Sequence, residues 1–127
     1  MSVPISYSVS VTTDGSGAAT ARTDGPVSGR LAQIIYTADG STPYDNTVDF
    51  TITGNTTGQS LLAVSNVSAS TTYAPRIATC STTGSAALYA AGGTAVNDLI
   101  GIANERIKIV LAQGGATKTG TFTFILV

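Results

Sequence analysis

The chain has no histidine and no tryptophan, a single cysteine, and charged residues at only 10% of its length. Each shortage removes a class of function. Without histidine, the side chain that most often serves as general base or metal ligand near neutral pH is missing. With Cys80 alone, no internal disulfide can form, and its default reading is a small buried apolar residue. The six Lys and Arg are spread singly and the formal net charge is -1, so the basic patch that nucleic-acid binding needs is absent. No apolar run, residues 86–91 included, approaches the roughly 18 residues of a membrane-spanning helix. The first residues lack the basic start and apolar block of a signal peptide, so synthesis in the cytoplasm and no membrane partner are expected.

What remains is a chain of small residues. Hydrophobic residues make up 43%, yet a charged share well below the typical value of about 25% leaves much of the surface to Ser, Thr, Gly and Asn. Such a surface is buried against a neighbour at little desolvation cost, since hydroxyls and amides find partners where charges need good pairing. A chain of 127 residues buries roughly two thirds of its unfolded surface, enough for one domain over residues 1–127.

The dominant signal is a period of two. Residues 3–11 place Val3, Ile5, Tyr7, Val9 and Val11 at alternate positions, and Val48, Phe50 and Ile52 alternate with Asp49, Thr51 and Thr53. Strand geometry sends successive side chains to opposite faces, so these are strands with one dry face. Asp14-Gly15-Ser16-Gly17 supplies turn chemistry and predicts a hairpin from the first strand into residues 18–23. Residues 27–38 carry Leu31, Ile34, Ile35 and Tyr36, a mixed pattern that suggests a bulge or a strand covered on both faces. Residues 59–67 continue the strand pattern, 68–75 read as a loop or edge strand, and 76–80 as one more short strand. Over 86–103 the alternation weakens, and Gly92, Gly93 and Gly101 allow at most one short helix. Residues 107–111 and 121–127 are strong strands that read as a long closing hairpin. Short strands with frequent turns and no crossover helices predict an all-β fold, an antiparallel β-sandwich or jelly roll.

Candidate sites are few, and each has a plain structural alternative. Asp39, Asp45 and Asp49 could offer oxygen ligands to a hard cation, but the spacing is not that of a calcium loop and Asp49 falls on a strand. Gly114, Gly115 and Gly120 lack the strand-to-helix setting of a phosphate loop. Glu105 is the sole glutamate, with Arg106 beside it as a possible ion partner, so the two carboxylates of a glycosidase are not in evidence. No catalytic residue, cofactor or bound metal is expected. Of the five tyrosines, Tyr7 and Tyr36 sit in strong strands and read as core, while Tyr44 and Tyr73 lie near prolines in loop segments and are candidate contacts. Arg30, Arg76 and Arg106 stand among small or apolar residues, where a bidentate partner on another strand or chain is one reading and a surface charge the other.

Several segments carry a family resemblance: residues 27–31 (VSGRL), 48–53 (VDFTIT), 89–93 (YAAGG), 104–110 through 113–115 (NERIKIV to QGG), and 118–124. Through them the chain resembles small structural proteins of tailed-bacteriophage particles, over nearly its whole length. The resemblance implies a non-enzymatic virion protein, most closely a capsid decoration, or cement, protein that binds the major capsid protein from outside, commonly as a trimer. A tail or baseplate module binding a host-surface glycan, and a head-to-tail connector, are the alternatives. On this reading the protein resides on the capsid surface, and the Val3, Pro4 and Ile5 arm, the Tyr44 loop and the segment from Tyr73 to Arg76 are the expected contacts.

Overall fold

The computed structural model describes residues 3–88 and 90–127. Its strands are β1 (Ile5–Thr12), β2 (Ala19–Arg22), β3 (Val27–Ala38), β4 (Asp49–Gly54), β5 (Ser60–Val64), β6 (Thr71–Tyr73), β7 (Ile77–Ala78), β8 (Asn97–Asp98), β9 (Ile100–Glu105), β10 (Ile107–Ala112) and β11 (Thr119–Leu126). All pairings are antiparallel. One sheet runs β1-β11-β3-β6, with β9 also on β3, and a second runs β2-β10-β4-β5. The fold is all-β, as the period of two predicts.

The two sheets meet through their dry faces. Phe50 of β4 packs edge-on against Tyr36 of β3 and Phe122 of β11, with ring centroids 4.9 Å apart in both cases. Edge-to-face contacts of this kind add about 0.5–1.5 kcal/mol each beyond the area they bury. Around them lie Leu31, Ile34, Ile52, Ile107, Ile109, Leu111 and Phe124, all fully buried. On the outer face of β1 and β11 the alternate residues are hydroxyls that bond in cross-strand pairs: Ser8 with Thr123 at 3.1 Å and Thr12 with Thr119 at 3.1 Å.

Two expected hairpins are absent because consecutive strands change sheet. β1 pairs with β11 and β2 with β10, so the Asp14 turn carries the chain from one sheet to the other. Likewise β10 and β11 lie in different sheets, and the expected closing hairpin is a crossover. Alternation within a strand says which face is dry but not which neighbour supplies the next ladder. The mixed pattern of β3 resolves into bulges, with register shifts between Val27 and Gly29 and at the Ile125/Leu126 step of its partner β11.

Between β6 and β9 the chain leaves the sandwich. Residues 77–98 form a small two-stranded sheet, β7 with β8, extended by the bridges Cys80 to Ala86 and Leu88 to Ala95. No described residue from 74 to 99 is buried, and none is helical. Its apolar residues are mostly alanine, which supplies too little area to bury, and its glycines favour turns. Cys80, expected as a small buried residue, is therefore exposed.

Candidate interaction surface

The chain crosses between sheets at Arg106, where β9 runs directly into β10. The corner is held by two side chains that sequence alone suggested might pair with each other. Instead Glu105, only 3% exposed, turns to the β4–β5 turn, where its carboxylate accepts the N–H groups of Thr56 and Thr57 at 2.8 and 3.0 Å and the Thr57 hydroxyl at 2.9 Å. The bond from the Thr57 N–H, with those from Thr56 and the Thr57 hydroxyl, holds the carboxyl below its ordinary value against the opposing effect of burial. Arg106 donates to the carbonyls of Thr23 and Asp24 at 2.9 and 3.2 Å. Both groups serve as structural clasps.

The acidic residues near the Tyr44 loop are also occupied locally. Asp39 accepts from Ser41 and Thr42, and the Thr42 backbone bond is the largest of the effects that lower its pKa. Asp49 accepts the Asn66 N–H at 3.1 Å, and Asp45 packs against Gly115. Among the described residues no three His, Cys, Asp or Glu side chains converge as a metal site would require. Gly114 donates to the Gly17 carbonyl at 2.9 Å and accepts the Asp45 N–H at 3.0 Å, so the glycine-rich loop knits one end of the sandwich together.

The expected contact residues separate into two groups. Tyr44 belongs to the core: it is 5% exposed, stacks on Tyr36 with ring planes 12° apart, and donates its hydroxyl to the Val11 carbonyl. Burial, and then the neighbouring Tyr36, push its pKa well up. Its neighbour Pro43 marked a loop correctly, but a loop can fold its aromatic inward when the facing strand has a hole for it. Here Gly120 provides the hole, since a Cβ there would come within 2.6 Å of the Tyr44 ring. Tyr73 is half-buried and closes the sheet edge opposite Ile34. Tyr7 is half-buried against the core at the other edge, and Tyr36 is buried as expected.

Val3, Pro4 and Ile5 are exposed, with Val3 at 74% and Ile5 at 50%. Arg76 is exposed too and donates to the carbonyls of Ala32 and Pro75 at 3.2 and 2.8 Å. Ile5 pairs with Leu126, which pairs with Leu31, so the arm and Arg76 lie at the same end of one sheet. Sequence reasoning missed Ile77 and Leu88, the other exposed large apolar residues among those described, at 45% and 43%. Both sit on the excursion of residues 77–98; the weakened alternation over 86–103 is a signal for Leu88, while Ile77 lies in the segment 76–80 read as a strand and had none. Beside the arm, a cleft of about 370 Å³ runs between Ser6, Tyr7, Ser8 and Val9 of β1 and the turn from Thr23 to Pro26.

No family model and no curated protein matches this chain. Among solved structures it is similar to the crystal structure of FLHE, at 12% identity and a TM-score of 0.46 over 98% of each chain. Similarity at that distance carries no argument about function.

Proposed function

We propose that the chain is a non-enzymatic structural subunit of a bacteriophage particle, a decoration protein that binds the outer surface of the major capsid protein lattice and stabilises the head. The observation that carries the proposal is where the exposed large apolar side chains stand. Val3 lies on the arm ahead of β1, Ile5 at the first position of β1, and Ile77 and Leu88 on the excursion, all outside the buried core. Projections with apolar tips suit contact with a broad surface of another protein. The charge-poor, hydroxyl-rich surface adds to this, because it can be covered at little desolvation cost.

A subunit that binds only the assembled lattice stabilises it by linkage, and a trimeric ring gains further from effective concentration. Weak single contacts then sum to a firm hold. Co-sedimentation with capsids, before and after expansion, tests the proposal. Saturable binding at many copies per expanded particle is the expected result. Absence of capsid binding overturns it, and a few copies confined to the tail would favour the connector or glycan-binding alternatives.

A further inference from the structure

The longest open edge of the sandwich belongs to β1. Among the described residues it pairs with β11 alone, over eight residues and with no shift of register. In an antiparallel pair, hydrogen-bonded and non-hydrogen-bonded positions alternate, so one observed bond sets the direction of all the others. The Thr13 N–H donates to the Lys118 carbonyl at 2.8 Å, just beyond the end of the ladder. The odd residues Val11, Val9, Tyr7 and Ile5 therefore turn their backbone groups to β11, and Ser6, Ser8 and Ser10 turn theirs outward. On the other side of β11, Arg30 and Val127 exchange bonds at 2.9 and 2.8 Å, which gives the same parity independently.

The cleft beside β1 has the matching form. A pocket on one face of a strand touches every second residue, whereas this one is lined by the consecutive Ser6, Tyr7, Ser8 and Val9. It lies along the edge, where the outward N–H and C=O groups of Ser6 and Ser8 point. An extended strand is the occupant that satisfies these N–H and C=O groups together along the edge.

Proteins normally guard an open edge with charge, proline, a bulge or a very short strand. The other edge strands of the sandwich among the described residues are shorter. β2 has four residues and ends on Arg22, β6 has three, and the side chain of Gln59, beside β5, bonds the Gly101 carbonyl of β9 at 2.9 Å. β1 has none of these devices within Ile5–Thr12.

We infer that β1 pairs with β1 of a second copy of this chain, antiparallel about a two-fold axis at Ser8. The strand is its own complement. In that register Ser6 faces Ser10 of the second copy, Tyr7 faces Val9 and Ile5 faces Val11, so hydroxyl meets hydroxyl and apolar meets apolar. β1 itself carries no charged side chain, so no like charges face one another across the paired strands, and Asp24 on the neighbouring turn is the charged residue that lines the cleft. Registers about Ser8 and about Val9 use equal lengths of the strand, and the one about Ser8 is distinguished by covering Ile5, which is 50% exposed in the single chain. Being two-fold, the contact makes a dimer or links rings to each other; it does not itself build a trimer.

The test uses the purified full chain without capsids, so its outcome is independent of the capsid proposal. Sedimentation velocity at about 100 μM, a concentration that detects contacts far weaker than typical specific ones, should show a species of twice 12.7 kDa. Ser8→Pro removes an outward N–H, leaves the β11 ladder intact and should give a monomer. Ser8→Lys keeps that N–H but places like charges across the axis, and should also dissociate the dimer while circular dichroism confirms the fold. In a Cys80→Ser background, Ser8→Cys should be bridged between copies by a short bis-methanethiosulfonate reagent, because facing residues of a hydrogen-bonded pair hold their Cβ atoms about 5.5 Å apart, close to one another but too far for a direct disulfide. A monomeric parent chain, a dimer that survives both Ser8 substitutions, or cross-linking at Ser6→Cys in place of Ser8→Cys would each overturn the inference.

Discussion

Glu105 shows what one residue does for this fold. It carries a buried charge whose partners are two backbone N–H groups and a hydroxyl, and it spans from the sheet-crossing corner to the β4–β5 turn. Gly54 is the space it needs, because a Cβ there would stand 2.6 Å from Oε1. The folded state holds the carboxyl below its ordinary value, so the stability it contributes is present above about pH 4.3, the unfolded value, and is lost as pH falls through the folded one. Asp14 and Asp39 act with the same sign, each on its own turn, the Ser16 hydroxyl being the largest effect at Asp14. Glu105→Gln should therefore lower stability at neutral pH and flatten its fall below pH 4.3, as read from urea denaturation across a pH series. Gly54→Ala should cost ~1–3 kcal/mol at all pH values, since the conflict is steric. The notion of an ion pair with Arg106 came from adjacency in sequence, but neighbours on an extended chain point to opposite sides.

At the scale of elements, the excursion of residues 77–98 differs from every other part of the chain. Its described bonds are largely backbone bonds, such as Thr79 N–H to the Val96 carbonyl at 2.8 Å and Val96 N–H to the Ala87 carbonyl at 2.9 Å. With no buried described residue from 74 to 99, little apolar burial opposes its opening. Amide hydrogen exchange should be fast there and slow in β3, β4, β10 and β11, whose side chains form the core. A chain in which a short turn joins Ile77 to Asp98 should keep its fold and unfold within about 1 kcal/mol of the parent, because shortening a surface loop changes closure entropy little. On the capsid proposal that same chain binds expanded capsids more weakly, as Leu88 is gone. The strands of the sandwich were legible in the sequence through strict alternation over Val48, Phe50 and Ile52 and again over Phe122 and Phe124. The excursion was not, because alanine and glycine carry almost no burial preference with which to mark a face.

For the whole molecule, composition bears directly on how it meets a partner. With a net charge of -1 and few charges of either sign, electrostatic steering and surface ion pairs have little to work with. Binding to expanded capsids should accordingly change by less than about threefold between low and moderate salt, since screening acts only on charges. A steep salt dependence in the co-sedimentation assay would show that Arg76 and the other scattered cations dominate the contact. The sequence by itself determined the all-β class, the positions of most strands and the dry face of each, because alternation is a local property and β-propensity acts residue by residue. It also determined the scarcity of ionisable side chains, since composition does not depend on folding. Only the tertiary structure decided which strands pair, that Tyr44 turns into the core over Gly120, that Glu105 reaches Thr57 while Arg106 holds Thr23, and that β1 is left with an open edge. Those outcomes depend on contacts between residues far apart in the chain, and a period of two contains no record of its partner.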